Sequence, residues 1–288
     1  MKRLKGIVSD AYFSILDPNF EHGIIRMKRH GFDGIDFHGF VEKGSDLLSL
    51  DGATFDKRLT EIRLVAERNR AVIPQGHGPL QWPPKELEKE DREFQFERMA
   101  KSIYGAAVLE CPIMVFHPLA PYGPKDIPLG KQEETKKINV EYYTKLAEIG
   151  EKYHVTICLE NLPFPELSVA NPFSVLELAE EINSDYCKIC LDTGHCVILD
   201  DPSKAAMHLG GDWIKAVHLH DNYGVIDQHK FPFDGIVDWK NFCKALNEIG
   251  FAGMMDFETW ARGTYPPQIK EHLEQGFSML TDYIVNLN

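Results

Sequence analysis

The chain has 288 residues, 43% hydrophobic and 26% charged, which suits a globular protein with a large core rather than a disordered or fibrous one. Its formal net charge of −13 opposes a phosphate backbone, whose recognition depends on basic contacts, so a nucleic-acid partner is not expected. No stretch reaches the roughly 20 consecutive apolar residues that span a bilayer, and the start MKRLKGIVSD lacks the apolar core and cleavage site of a signal peptide, so a cytoplasmic protein without a membrane partner is expected.

The first apolar segment, LKGIVSD (4–10), reads as a strand, and DGIDFH (33–38) as the second. A helical pattern covers 54–70, with Leu59, Ile62, Leu64 and Val65 set against a charged face. AVIPQGH (71–77) is the third strand, 88–110 a long helix, and IMVFH (113–117) the fourth strand. A helix over 133–154 carries Ile138, Tyr142, Leu146 and Ile149 on one stripe and leads to the strand TICLENL (156–162). Asn171-Pro172 is a start signal for a helix over 171–182. The strands KICLDTG (188–194) and IKAVHLHD (214–221) come next, then a helix over 237–250 with Asp238 as cap candidate and Gly250 as stop. GMMDFET (253–259) is the last strand, and a final helix covers 266–286.

The eight strand candidates are almost continuously apolar, as in parallel sheets covered on both faces, and helical patterns lie between them. This predicts a (β/α)8 TIM barrel of the α/β class. A doubly wound sheet is the alternative, but no Gly-rich phosphate loop follows the first strand. No Pro/Gly/Ser-rich linker or charge block divides the chain, so residues 1–288 are read as one domain. Cys111, Cys158, Cys187, Cys190, Cys196 and Cys243 do not read as a disulfide framework. Cys187 and Cys190 form a C-x-x-C without the second pair a structural zinc site needs, and Cys158 and Cys190 read as small core residues.

The predicted strands end on groups that bind metal or move protons: His77, His117, Glu160, Asp192 with His195 three residues on, His218, and Glu258. Asp227 and His229 follow the His218 strand. In a barrel of parallel strands these ends converge on one face. Each residue alone reads as readily as a hydrogen-bonded core or rim group. Together they do not, because buried acids are rare unless paired or metal-bound. Glu160, Asp192, His218 and Glu258 would form a mixed oxygen and nitrogen shell suited to Zn²⁺, Mn²⁺ or Co²⁺. His38 ends the second strand with no partner by motif, and His220 shares the facing of His218, as a rim or supporting group. Trp82, Trp260, Tyr12 and Phe13 follow strand ends, where they either stack on the ring of a ligand or pack the loops.

The motifs FHP (116–118), LEN (159–161), LDTGH (191–195), VHLHD (217–221), DQH (227–229) and FE (257–258) resemble, in order and spacing, those of the xylose-isomerase-like barrel superfamily. That group includes sugar and sugar-phosphate isomerases and epimerases, and endonuclease IV. Resemblance to the ketose 3-epimerase branch implies one divalent metal on Glu160, Asp192, His218 and Glu258, with Glu160 and Glu258 as the acid/base pair. It further implies substrate contacts from Glu166 and His195, a small carbohydrate substrate, proton transfer through an enediolate, and association into a homodimer or tetramer. An arginine expected six residues after the metal histidine is Gly224 here. Resemblance to endonuclease IV implies up to three zinc ions: one on His77, His117 and Glu160, one on Glu160, Asp192, His218 and Glu258, and one on His195, Asp227 and His229. In the sugar-enzyme reading His77 and His117 are instead substrate-binding or structural. HGPL (77–80) replaces the segment carrying the endonuclease's tyrosine wedge, and LENLPFPE (159–166) has the sugar-enzyme form. The expected function is therefore a metal-dependent sugar isomerase or epimerase. A trinuclear phosphodiesterase, or a lyase or dehydratase on the same scaffold, is the alternative.

Overall fold

The computed structural model describes residues 3–41, 47–80, 82 and 84–287. Strands β1 (Lys5–Val8), β2 (Gly34–Phe37), β3 (Val72–His77), β4 (Ile113–Phe116), β5 (Thr156–Glu160), β6 (Cys187–Asp192), β7 (Ile214–Leu219) and β8 (Met255–Phe257) follow in chain order. Each pairs in parallel with the next, and β8 pairs back onto β1, closing the predicted eight-stranded barrel. Helices α1 (Phe20–Arg29), α2 (Gly52–Arg68), α3 (Lys89–Val108), α4 (Gln132–Tyr153), α5 (Pro172–Ile182), α6 (Thr193–Leu199), α7 (Pro202–Leu209), α8 (Trp239–Glu248) and α9 (Pro267–Val285) surround it.

Three of these helices, α1, α6 and α7, have no counterpart among the sequence patterns. α1 is short and turns Phe20, Ile24 and Met27 inward, a brief stripe between turn-forming residues. α6 follows β6 directly, and its first two residues, Thr193 and Gly194, fall within the strand read over 188–194. Caps decide the change of conformation. Asp192 Oδ1 accepts the His195 N–H at 2.6 Å, and Asp201 Oδ1 accepts the Ser203 N–H at 2.8 Å to start α7. The expected caps form as well: Asn171 accepts from Phe173 N ahead of Pro172, Asp238 accepts from Asn241 N, and Gly250 takes φ +70° after α8.

The barrel interior follows the two-residue period of its strands. A small buried cluster of Val115, Cys158, Cys190 and Ala216 fills one half. Two residues further along each of those strands stand His117, Glu160, Asp192 and His218. On β2, β3 and β8 the same step leads from Asp36, Gln75 and Asp256 to His38, His77 and Glu258. The interior residues thus form a lower layer that supports the site. All six cysteines are unpaired and buried, as expected of core residues. No helix among the described residues is long and apolar enough to cross a membrane.

Candidate metal centre and active site

Parallel pairing aligns the strand ends. Glu160 is in register with Cys190, Asp192 with His218, and His218 with Asp256. Donor atoms of Glu160, Asp192, His218 and Glu258 consequently lie within 4.8 Å of one another. His218 Nδ1 is 3.0 Å from Glu160 Oε1 and 3.5 Å from Glu258 Oε2. Glu160 is the hub. Its Oε2 is 3.2 Å from both His77 Nε2 and His117 Nε2, and its Oε1 is 3.4 Å from His195 Nδ1.

A second cluster joins His195, His220, Asp227 and His229, also within 4.8 Å. Asp227 Oδ2 is 2.9 Å from His229 Nε2 and 3.6 Å from His195 Nε2. His220 stacks on His229 with ring centres 4.0 Å apart, and its Nε2 is 3.0 Å from Asp192 Oδ2. His220 Nδ1 and Asp227 Oδ1 are buried and have no hydrogen-bond partner. Of the two roles expected for His220, rim or supporting group, the contact with Asp192 matches the second. β7 pairing stops at Leu219, and the Thr193 hydroxyl engages the His220 backbone on both sides, accepting its N–H at 3.1 Å and donating to its carbonyl at 2.8 Å. His220 then points to Asp192 and the second cluster.

The electrostatics favour ionised acids. Burial would raise the Glu160 carboxyl, but His218 and His117 hold it well below the usual carboxylate range. Burial acts likewise on Glu258, and the imidazoles of His218 and His229 bring it down to about 2. Burial and the neighbouring Asp36 charge push the Asp256 carboxyl well above its ordinary value. His38 is 3.6 Å from Asp36 and 3.7 Å from Asp10. Burial opposes its charge, yet Asp36 and Asp10 lift it to about 10. Burial keeps the nearby Cys190 as a thiol by raising it well above its usual range.

A cavity of roughly 350 Å³ opens above these groups. His77, His117, His195, Asp227, His229 and Glu258 line it, with Trp82, Trp260, Arg262, Asp10 and His38 toward the rim. Glu258 is 15% exposed and reaches the wall, whereas Glu160 is 1% exposed beneath the imidazoles. Glu166 is not part of this lining: its carboxylate is 52% exposed and pairs with Lys125 at 3.1 Å. Tyr12 and Phe13 are buried, Tyr12 against His30 and Phe32 and Phe13 against Phe20, and they do not line the cavity. The sequence reading missed Asp36, Gln75, Asp256 and Arg262. The first three carry a signal, since each stands two residues before a strand-end group on the same face.

The profile of the xylose isomerase-like TIM barrel family matches residues 24–283. The chain belongs to that family. Across 61% of this chain it is 30% identical to an uncharacterized protein of Methanocaldococcus jannaschii, spanning 60% of that relative's length. It is 25% identical to the D-psicose 3-epimerase of Ruminiclostridium cellulolyticum, covering 82% of this chain and 83% of the enzyme. The crystal structure of a D-tagatose 3-epimerase-like protein superposes with a TM-score of 0.76 at 24% identity, over 99% of this chain and 98% of the other, and shows the shared fold. Epimerases and isomerases of sugars are thus among this family member's relatives.

Proposed function

We propose that this chain is a sugar isomerase or epimerase that moves a proton on the carbon beside a carbonyl group, through an enediolate. One observation carries the reading: two ionised glutamates, Glu160 and Glu258, both face His218 Nδ1, with Glu258 on the wall of a cavity of roughly 350 Å³ and Glu160 beneath the histidines that line it. The donor set fits a divalent cation of the zinc, manganese or cobalt kind. Three carboxylates this close repel one another unless protons or a cation intervene, and with one imidazole they offer hard and borderline ligands together. Glu160, Asp192, His218 and Glu258 would hold the ion. When bound, it supplies Lewis-acid stabilisation of negative charge developing on substrate oxygens.

The residues perform the proton chemistry. Glu258, on the cavity wall, is placed to take the proton from the substrate carbon, its low pKa keeping it ionised. Epimerisation follows if Glu160, first protonated from solvent, gives that proton to the opposite face while Glu258 keeps the abstracted one; isomerisation follows if Glu258 returns the abstracted proton to the adjacent carbon as the hydroxyl proton passes to the former carbonyl oxygen. His77, His117 and His195 line the cavity as hydroxyl contacts. Glu166 would join them only if its pairing with Lys125 opened.

The test is hydrogen exchange from solvent into a panel of ketoses, with and without phosphate. Exchange with at least one is expected, and its absence across the panel overturns the reading. Removing divalent ions with a chelator is expected to stop the exchange. Restoring Mn²⁺ or Co²⁺ at about 100 times its dissociation constant is expected to stabilise the fold by about 2.7 kcal/mol, read by calorimetry.

A second reading is favoured by one observation. The His77–His117–Glu160 group and the cluster of His195, Asp227 and His229 both assemble at ligand spacing, as a three-metal phosphodiesterase requires. The net charge of −13 argues against a DNA partner. Incision of abasic DNA by the metal-loaded protein decides between the two.

A further inference from the structure

The two nitrogens of His218 face different carboxylates, and only one of these belongs to the ligand set. Nδ1 turns to Glu160 and Glu258. Nε2 is 3.0 Å from Asp36 Oδ2, at the end of β2. That same oxygen accepts the Gln75 amide N–H at 2.6 Å from β3. Asp36 and His218 are completely buried and Gln75 nearly so.

We propose that Asp36, held in place by Gln75, is the positioning residue that fixes the tautomer and ring orientation of His218, so that Nδ1 rather than Nε2 is presented to a divalent cation. This rests on the metal centre proposed above. Both ring nitrogens face carboxylates, but the oxygens beside Nδ1 belong to the ligand set; with a cation held there the imidazole is neutral, and its one proton stays on Nε2 as the donor to Asp36. The lone pair is then left on Nδ1, aimed at the other ligands. Gln75 completes the device. It is amide rather than acid, so it adds no charge, and its donated hydrogen bond fixes the Asp36 oxygen that His218 uses. The chain repeats the arrangement two residues on, where His220 sets Nε2 against Asp192 and leaves Nδ1 without a partner.

The experiment compares the metal-free wild-type protein with Asp36→Asn and Gln75→Met. Each is titrated with Co²⁺, read by visible absorption and by competition with a chelator. Asp36→Asn is expected to weaken Co²⁺ binding by roughly 10–100-fold, the range found when outer partners of metal-bound histidines are removed, and Gln75→Met by a smaller factor in the same direction. Nitrogen-15 NMR of the zinc-loaded wild type is expected to show His218 protonated at Nε2. A purely structural role for Asp36 would lower stability without changing affinity or protonation site. If the wild type binds no ion, the metal centre itself falls. If it binds but both folded variants bind equally tightly, or His218 is protonated at Nδ1, the positioning role falls and the centre stands. Should Asp36→Asn fail to fold, Gln75→Met and the NMR spectrum decide.

Discussion

Glu258→Gln is expected to lower turnover by roughly 10²–10⁴-fold, the range contributed by a positioned general base, while the barrel stays folded. The side chain sits at the end of β8, and burial is overridden by His218 and His229 so that it is ionised at neutral pH. Glutamine keeps the shape and removes the base. Glu160→Gln is expected to fall at least as far for a broader reason. Its carboxylate lies within 3.4 Å of imidazole nitrogens from His77, His117, His195 and His218. A neutral amide leaves that group of histidines without its anion, so metal affinity drops along with turnover. Measuring kcat on any ketose that shows exchange, together with circular dichroism and metal content, separates the two variants. Full activity in both removes the acid/base assignment.

Asp221→Ala is expected to destabilise the protein by at least about 3 kcal/mol, because each buried donor left without its acceptor costs roughly 1–3 kcal/mol. The carboxylate is fully buried and organises the loop between β7 and α8. Its Oδ1 accepts from Asn222 N at 2.9 Å and Val237 N at 3.1 Å, and its Oδ2 from Phe233 N at 3.0 Å and the Trp239 indole at 2.8 Å. Gly235 is needed beside it, since a Cβ there would stand 2.2 Å from Asp221 Oδ1. That loop delivers Asp227 and His229, so ligand geometry in the second cluster should loosen with the fold. Scanning calorimetry is expected to show a loss of roughly 6–12 °C in Tm at the sensitivity usual for domains of this size class. A loss under about 1 kcal/mol would mean the loop is held by its apolar contacts instead.

The barrel and the convergence of Glu160, Asp192, His218 and Glu258 were legible in the chain because both depend on order along it. Parallel strands of period two bring their C-terminal ends to one face, so a strand ending in Glu160, Asp192, His218 or Glu258 places that residue without further information. The supporting layer was half legible. Asp36 and Asp256 stand two positions before His38 and Glu258, yet an acid inside an apolar strand declares no partner. Closure of β8 onto β1 buries Asp256 and brings it near Asp36, and burial first, then that charge, raises its carboxyl.

Sequence alone pointed to Glu160, Asp192, His218 and Glu258 as neighbours at the mouth of the barrel, because each strand's end and its side-chain alternation are local properties. Tertiary structure alone decided how they divide. It sent His220 toward the second cluster by ending β7 at Leu219 and holding the next turn on Thr193, and it set Glu258 on the cavity wall with Glu160 beneath. It also decided which nitrogen of His218 faces which carboxylate, since that depends on Asp36, a residue 182 positions away along the chain.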